Sequence, residues 1–308
     1  MEVINTIGGY LSSDIRMAAP ILLAGLGLLI INWSGLLNIG AEGTMLIATL
    51  VAVAGSYYSG SVWIGLIAAI ISGALVGALF AFLTVTLRAN QTVVGAAINI
   101  LGSGLSATLN RVIFGVNTTI AKIDTFANWT IPGLSKIPLI GQAFFNQMPI
   151  VYLAFLMVPL MSFYLFRTQS GLNLRAVGEN PRVADTLGIN VYRTQYLAAI
   201  VGSAIIAMGG AFLSTGLLNF FSEDMVSGRG YIALAAVIFG KYKPSGIMVA
   251  ALIFMAGNVV SNILQVAGAA IPYTFLTMIP YILTIIALAM FASRAVAPAS
   301  LGRPYKRG

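Results

Sequence analysis

Residues able to do chemistry are scarce in this 308-residue chain. Glu42 is the one acid inside a long apolar stretch, and it follows Asn38 by four positions. Asn99, Asn258 and Asn262, with Gln265 close by, bring further polar groups into apolar stretches. In hydrocarbon such groups are costly, so each must be satisfied or used. Two uses are open for the amides. They can bond between helices, at about 0.6–2 kcal/mol per contact, or line a path for a polar, uncharged solute. Two are open for Glu42: a place on that path, or acceptance of backbone N–H groups at a helix start after Gly40. With no cysteine and no histidine, thiol chemistry and the commonest general base and metal ligand are missing. Gly240-Lys241 lacks the rest of a phosphate loop, and Gly102-Ser103-Gly104 and Gly228-Arg229-Gly230 lack a third glycine and a strand. The expectation is no catalytic residue, no metal and no cofactor. Glu223 and Asp224 read as solvated loop acids.

A second polar island, Gly178 to Gly188, separates two apolar segments. Asn180 can cap a helix, Pro181 suits its first position and Gly188 its end. A helix of about two turns does not hold in water alone. It must be docked, and its setting suits a part that passes force from a soluble motor into a membrane domain.

The elements that position these residues are membrane spans. The chain is 59% hydrophobic and 8% charged, where soluble domains carry about 25% charged residues. Apolar stretches recur at 14–31, 38–58, 62–87, 91–114, 149–167, 193–218, 229–241, 244–266 and 271–292. Stretch 229–241 is too short to cross alone and is expected to be a partial helix buried in protein. The expected fold is all-α: a polytopic membrane helical bundle of about 8–9 spans in a single domain, 1–308. The first twelve residues show no cleavable signal and read as a short amphipathic lead-in.

Eleven of the 16 basic residues, Arg88, Arg167, Arg175, Lys241 and Arg303 among them, fall on one side if spans alternate. The positive-inside rule makes that side cytoplasmic. Loop 168–192 and the C-terminus are then cytoplasmic, and the loop 115–148, with Trp129 suited to the headgroup layer, is external. The net charge of +8 follows from these inside loops and calls for no nucleic acid. Gly65, Ala69, Gly73, Gly77 and Ala81 form a row of small residues that lets another helix approach closely, within the protomer or at a dimer contact. A weak internal echo links Gly35-Leu36-Leu37-Asn38, then Glu42, to Gly216-Leu217-Leu218-Asn219, then Glu223. An inverted repeat would produce it, and so would chance.

Three motifs resemble the permease subunits of ATP-binding-cassette (ABC) importers, in the superfamily handling branched-chain amino acids, ribose-type sugars and nucleosides. Gly178-Glu179-Asn180-Pro181-Arg182, through Leu187-Gly188-Ile189, resembles its cytoplasmic coupling loop. Ser34 to Gly43 with Met45-Leu46 resembles the early signature of the nucleoside and simple-sugar branch. Gly228 to Lys241, then Pro244, resembles the late signature of the shorter nucleoside permease. Asn32-Trp33 departs from relatives that often carry charge there.

The resemblance implies a type II importer-like bundle in a bacterial inner membrane. Its implied partners are an ABC ATPase subunit, a second similar permease, an external lipid-anchored solute-binding protein and membrane lipid. It implies ATPase coupling through Gly178, Glu179, Asn180, Pro181, Arg182, Ala184, Asp185, Leu187 and Gly188. The candidate path is Asn38, Glu42, Asn99, Asn258 and Asn262. ATP hydrolysis is expected elsewhere, and Ala184→Arg is expected to uncouple it from uptake without harming insertion. Alternatives are a permease for simple sugars such as ribose, an ion-coupled secondary transporter, for which one Glu within the spans and no His is a poor kit, and a membrane scaffold.

Overall fold

The computed structural model describes residues 2–115, 121–133, 140–266 and 296–306, with Phe275, Met278 and Ile282. Helices dominate: α1 (Glu2–Trp33), α2 (Ala41–Ser59), α3 (Val62–Ala81, extended by a π turn over Phe82–Thr86), α4 (Gln91–Phe114), α5 (Ile140–Phe144), α6 (Pro149–Arg167), α7 (Gln169–Glu179), α8 (Pro181–Thr186), α9 (Val191–Phe212, with a π turn over Leu213–Leu218), α10 (Arg229–Phe239) and α11 (Pro244–Val266). Two residue pairs, β1 (Trp129–Thr130) and β2 (Asn146–Gln147), run antiparallel with Trp129 opposite Gln147.

Six of these helices are long and apolar enough to cross a membrane: Gly8–Trp33, Val62–Thr86, Gln91–Phe114, Pro149–Arg167, Val191–Leu218 and Pro244–Gln265. The 19-residue α2 is long enough too, at about 28 Å, but Glu42, Tyr57 and Tyr58 lower its apolarity. The expected span 271–292 lies outside the described residues apart from those three positions. The lead-in is no separate element, because helix runs unbroken from Glu2 into the first span.

Packing sorts the helices into centre and rim. In α1, Leu22, Leu23, Leu26, Leu28 and Leu29 are fully buried; α9 packs on α1, α2 and α3, and α2 packs on α3. Gly27 and Gly202 face each other so closely that a Cβ on either would strike the other's carbonyl oxygen. At the rim, α3 exposes Ile64, Ile67, Ile71 and Leu75, while α6 exposes Leu156, Leu160 and Phe163. Such apolar faces suit lipid, not water.

The described residues 121–133 and 140–147 pack onto the bundle. Phe126 is buried, its ring edge-on to Trp63, and its N–H donates to the Thr215 carbonyl in the α9 π turn at 3.2 Å. Gln147 Nε2 donates to Ser12 Oγ at 2.9 Å and ties the β pair to α1.

Candidate functional site

The segment between α1 and α2 turns into the bundle instead of staying at its edge. Trp33 Nε1 donates to the Tyr242 carbonyl at 3.2 Å, and Leu37 N donates to Gln91 Oε1 at 2.7 Å. The end of α1, the start of α4 and the α10–α11 turn therefore share one face. From there residues 34–40 run inward to Gly40, where α2 starts.

At that start, three polar residues converge. Asn38 Oδ1 accepts from Gly40 N at 2.8 Å, bracing the turn. Asn99 Oδ1 accepts from Gly43 N at 2.8 Å, while its Nδ2 donates to the Ile39 carbonyl at 3.0 Å and to the Tyr231 hydroxyl at 2.9 Å. Glu42 is 6% exposed, and its two carboxylate oxygens accept from Gly228 N and Gly230 N, each at 2.7 Å. It meets backbone N–H groups at a helix start, but the helix is α10, not its own. An anion at a helix N-terminus is stabilised by the free N–H groups there. Asp224 repels the carboxylate and the Arg229 guanidinium attracts it. Gly230 has no room for a side chain, since a Cβ would lie 2.5 Å from Glu42 N. The segments that carry the sequence echo thus lead into two helices whose first turns meet. Their acids differ: Glu42 is buried, while Glu223 is exposed and pairs with Arg111 at 3.0 Å.

Asn258 lies apart on α11, its Nδ2 against Met255 Sδ at 3.7 Å. The Asn262 side chain lies outside the described residues.

The Gly178–Gly188 island forms the end of α7, then α8. Thr168 caps α7 through its side chain, accepting from Gly171 N at 3.1 Å. Asn180 Oδ1 accepts from Val183 N at 3.2 Å, Pro181 opens α8, and Gly188 holds φ +84° after it. The residues of α8 and its C-cap Leu187 divide by face. Arg182, Val183, Thr186 and Leu187 are exposed, with Val183 at 51% and Leu187 at 74%. Ala184 is 1% exposed and packs with Val177, Val191 and Tyr305. Arginine at Ala184 would therefore prise α8 off its seat, so the expected clean uncoupling through Ala184→Arg is corrected.

The C-terminal tail clasps this unit. Ser300 N donates to the Gly178 carbonyl at 3.0 Å, and Ser300 Oγ donates to the same oxygen. Ala299 N donates to Glu179 Oε2 at 3.3 Å, and the Tyr305 hydroxyl to Asp185 Oδ2 at 3.0 Å. Gly302 N donates to the Gly35 carbonyl at 3.0 Å. Gly178 itself abuts the Trp33 carbonyl. One strap thus joins α7 and α8 to the segment that leads to Asn38 and Glu42.

Of the small-residue row, Gly65 lies on Ala52 and Ser56 of α2, while Gly73 and Gly77 lie on Ser203, Ala207 and Ala199 of α9. Ala69 and Ala81 are fully buried. Within the protomer, the row seats α3 against α2 and α9.

Three residues of this region escape sequence reasoning: Val183, Tyr231 and Tyr305. An exposed valine on a two-turn polar helix is a usable signal. The two tyrosines matter through contacts across 132 and 120 positions, which no local pattern marks.

The sequence model of the family described as the permease component of branched-chain amino acid transport systems matches residues 10–289. Over 320 residues the chain is 36% identical to the guanosine ABC transporter permease protein NupQ of Bacillus subtilis (strain 168), with 100% of this chain and 99% of the relative covered. It is 34% identical over 317 residues to the nucleoside ABC transporter permease protein NupC of Lactococcus lactis subsp. cremoris (strain MG1363), covering 99% of each. It is 37% identical over 250 residues to the putative glucose ABC transporter permease protein TsgC13 of Haloferax volcanii, covering 80% of this chain and 74% of the relative.

Proposed function

Because the chain belongs to the family of branched-chain amino acid transport permease components, we propose that it is the membrane permease of an ATP-driven nucleoside importer. The observation that carries this reading is end-to-end similarity to two permeases named for guanosine and nucleosides. The proposed assembly holds a separate ABC ATPase, a second permease of similar sequence and an external lipid-anchored binding protein. The proposed architecture is type II importer-like, with eight or nine spans in a single domain, and with α7, α8 and the tail on the cytoplasmic side of a bacterial inner membrane.

In this reading Arg182, Val183 and Leu187 meet the ATPase. Gly178 and Pro181 shape α8, while Asn180 caps it. Closure of the ATPase displaces α8, and α7 and the tail move with it because hydrogen bonds and close packing hold them together. Residues 34–40 follow through Gly35, and α10 follows through Glu42. A path beside Asn99 then opens alternately to the two sides, a shift between two packed arrangements. Asn38 and Glu42 act as structural clamps of that path. Asn258 and Asn262 remain candidates for its lining on α11.

Two neighbouring readings differ in what they need. A sugar permease has the support of the Haloferax relative's name. An ion-coupled carrier needs a titrating acid, and Glu42 is a poor one with both oxygens held by backbone N–H groups. Labelled guanosine uptake into proteoliposomes holding the complete importer decides. ATP-dependent uptake, competed by nucleosides and not by free ribose or glucose, is the expected result. Competition by free sugar alone would reverse the substrate assignment, and uptake without ATP would overturn the importer.

A further inference from the structure

Tyr231 lies in the first turn of α10, a helix of 11 residues, about 16 Å long and so about half the hydrocarbon thickness. Its depth follows from two helices independently. Tyr231 is eight residues from Phe239, at the end of α10, and Asn99 is eight residues from Gln91, at the start of α4. Both rises are about 12 Å, and both helix ends lie on the face joined through Trp33, Leu37, Gln91 and Tyr242. The Asn99–Tyr231 contact therefore lies about 12 Å in from that face of the bundle, toward the middle of a hydrocarbon layer about 30 Å thick.

At that depth the Tyr231 side chain is 49% exposed. A tyrosine serving as a membrane anchor belongs at the headgroups, not at the midplane. The Asn99 amide donates to its oxygen at 2.9 Å. That bond leaves the hydroxyl proton of Tyr231 available, and no acceptor takes it among the described residues. A free donor turned toward lipid is costly; a free donor turned toward a polar path is useful. The adjoining edge of α4 is small and polar, with Thr92, Ala96, Asn99 and Ser103 in helical register. Val93, Ile100 and Leu101 hold the lipid-like side. Discontinuous helices that end near the midplane commonly frame solute sites in transporters.

We infer that Tyr231 contacts the transported solute: its ring stacks on the heteroaromatic base of a nucleoside, and its hydroxyl donates to that solute. Asn99 is a positioning residue, because it fixes the hydroxyl and spends both of its own N–H groups inside the protein. Glu42 is a positioning residue as well, since it holds the backbone on both sides of Arg229 and so sets where α10 begins. This inference rests on the nucleoside reading above.

The test uses the complete importer in proteoliposomes, with labelled guanosine and uridine as probes. Tyr231→Phe keeps ring and volume and loses the hydroxyl, both the donor toward the solute and the acceptor of Asn99 Nδ2; guanosine uptake should fall about fivefold. Tyr231→Ala also loses the stacking face; guanosine uptake should fall at least about tenfold. The larger purine loses more stacking than the pyrimidine, so Tyr231→Ala should narrow the guanosine-to-uridine ratio. ATP hydrolysis and co-purification with the ATPase should stay at parental levels. Parental uptake in both variants overturns the inference while leaving the nucleoside reading in place. Equal loss for both nucleosides in Tyr231→Ala also overturns it, because a structural role would act so. A parent importer that carries no nucleoside removes both readings.

Discussion

The Tyr305 hydroxyl donates to Asp185 Oδ2 at 3.0 Å, so the C-terminal tail grips a helix of only six residues. The Tyr305 ring also packs on Tyr192 at the start of α9, with centroids 5.6 Å apart. A helix this short is held by what surrounds it. Tyr305→Phe keeps the ring contact and removes the hydrogen bond, worth about 1 kcal/mol and thus about a fivefold shift in how often α8 is seated. Solute moved per ATP should fall while hydrolysis continues. Vesicle assays that record both rates give the ratio, and a parental ratio would remove the tail from the coupling path.

Exposure on α8 separates interface from support. Leu187→Asp and Val183→Asp alter side chains 74% and 51% exposed. Each should leave the purified permease as heat-stable as the parent and weaken its co-purification with the ATPase. Ala184→Arg forces a long cation into a site 1% exposed and should cost stability outright, as buried unpaired charges do. If all three variants melt alike, the two-faced reading of α8 fails.

Glu42 has two hydrogen-bond obligations that a neutral amide cannot meet. In Glu42→Gln one side-chain position becomes an N–H donor that faces Gly228 N or Gly230 N. A buried donor left opposite another donor costs about 1–3 kcal/mol. The melting temperature of the detergent-purified protein should drop, and transport should fall in proportion to folded protein. Lost transport with an unchanged melting point would instead give Glu42 a role in proton or ion coupling.

The α3–α9 contact depends on missing side chains. A Cβ at Gly73 would lie 2.3 Å from Ala207 Cβ and 2.6 Å from the Ser203 carbonyl oxygen. Gly73→Val should therefore destabilise by about 1–3 kcal/mol or more. Leu75, two positions on, is 66% exposed on the lipid-like face, and Leu75→Ala should be nearly neutral. Size-exclusion profiles of fluorescent fusions rank the two, and an undisturbed Gly73→Val would mean that α3 and α9 separate without cost.

What is written locally along this chain is legible without the structure. Lengths of apolar runs place α3, α4, α6 and α11 to within a residue or two, because leaving apolar surface in water is costly wherever the run folds. Asn180, Pro181 and Gly188 mark both ends of α8, because capping and φ are properties of single residues. Helix α7 escapes that reading, since Gly171 and Gly178 weaken the local helix signal. Those glycines are there for close approach to Leu165 and Trp33, which only packing reveals. Partnership over distance is likewise decided by the tertiary structure. Glu42 meets Gly228 and Gly230 across 186 and 188 positions, and Asn99 meets Tyr231 across 132. A carboxylate signals that it must be satisfied, but not by which N–H groups. That choice belongs to the helices that bring the chain's distant turns together.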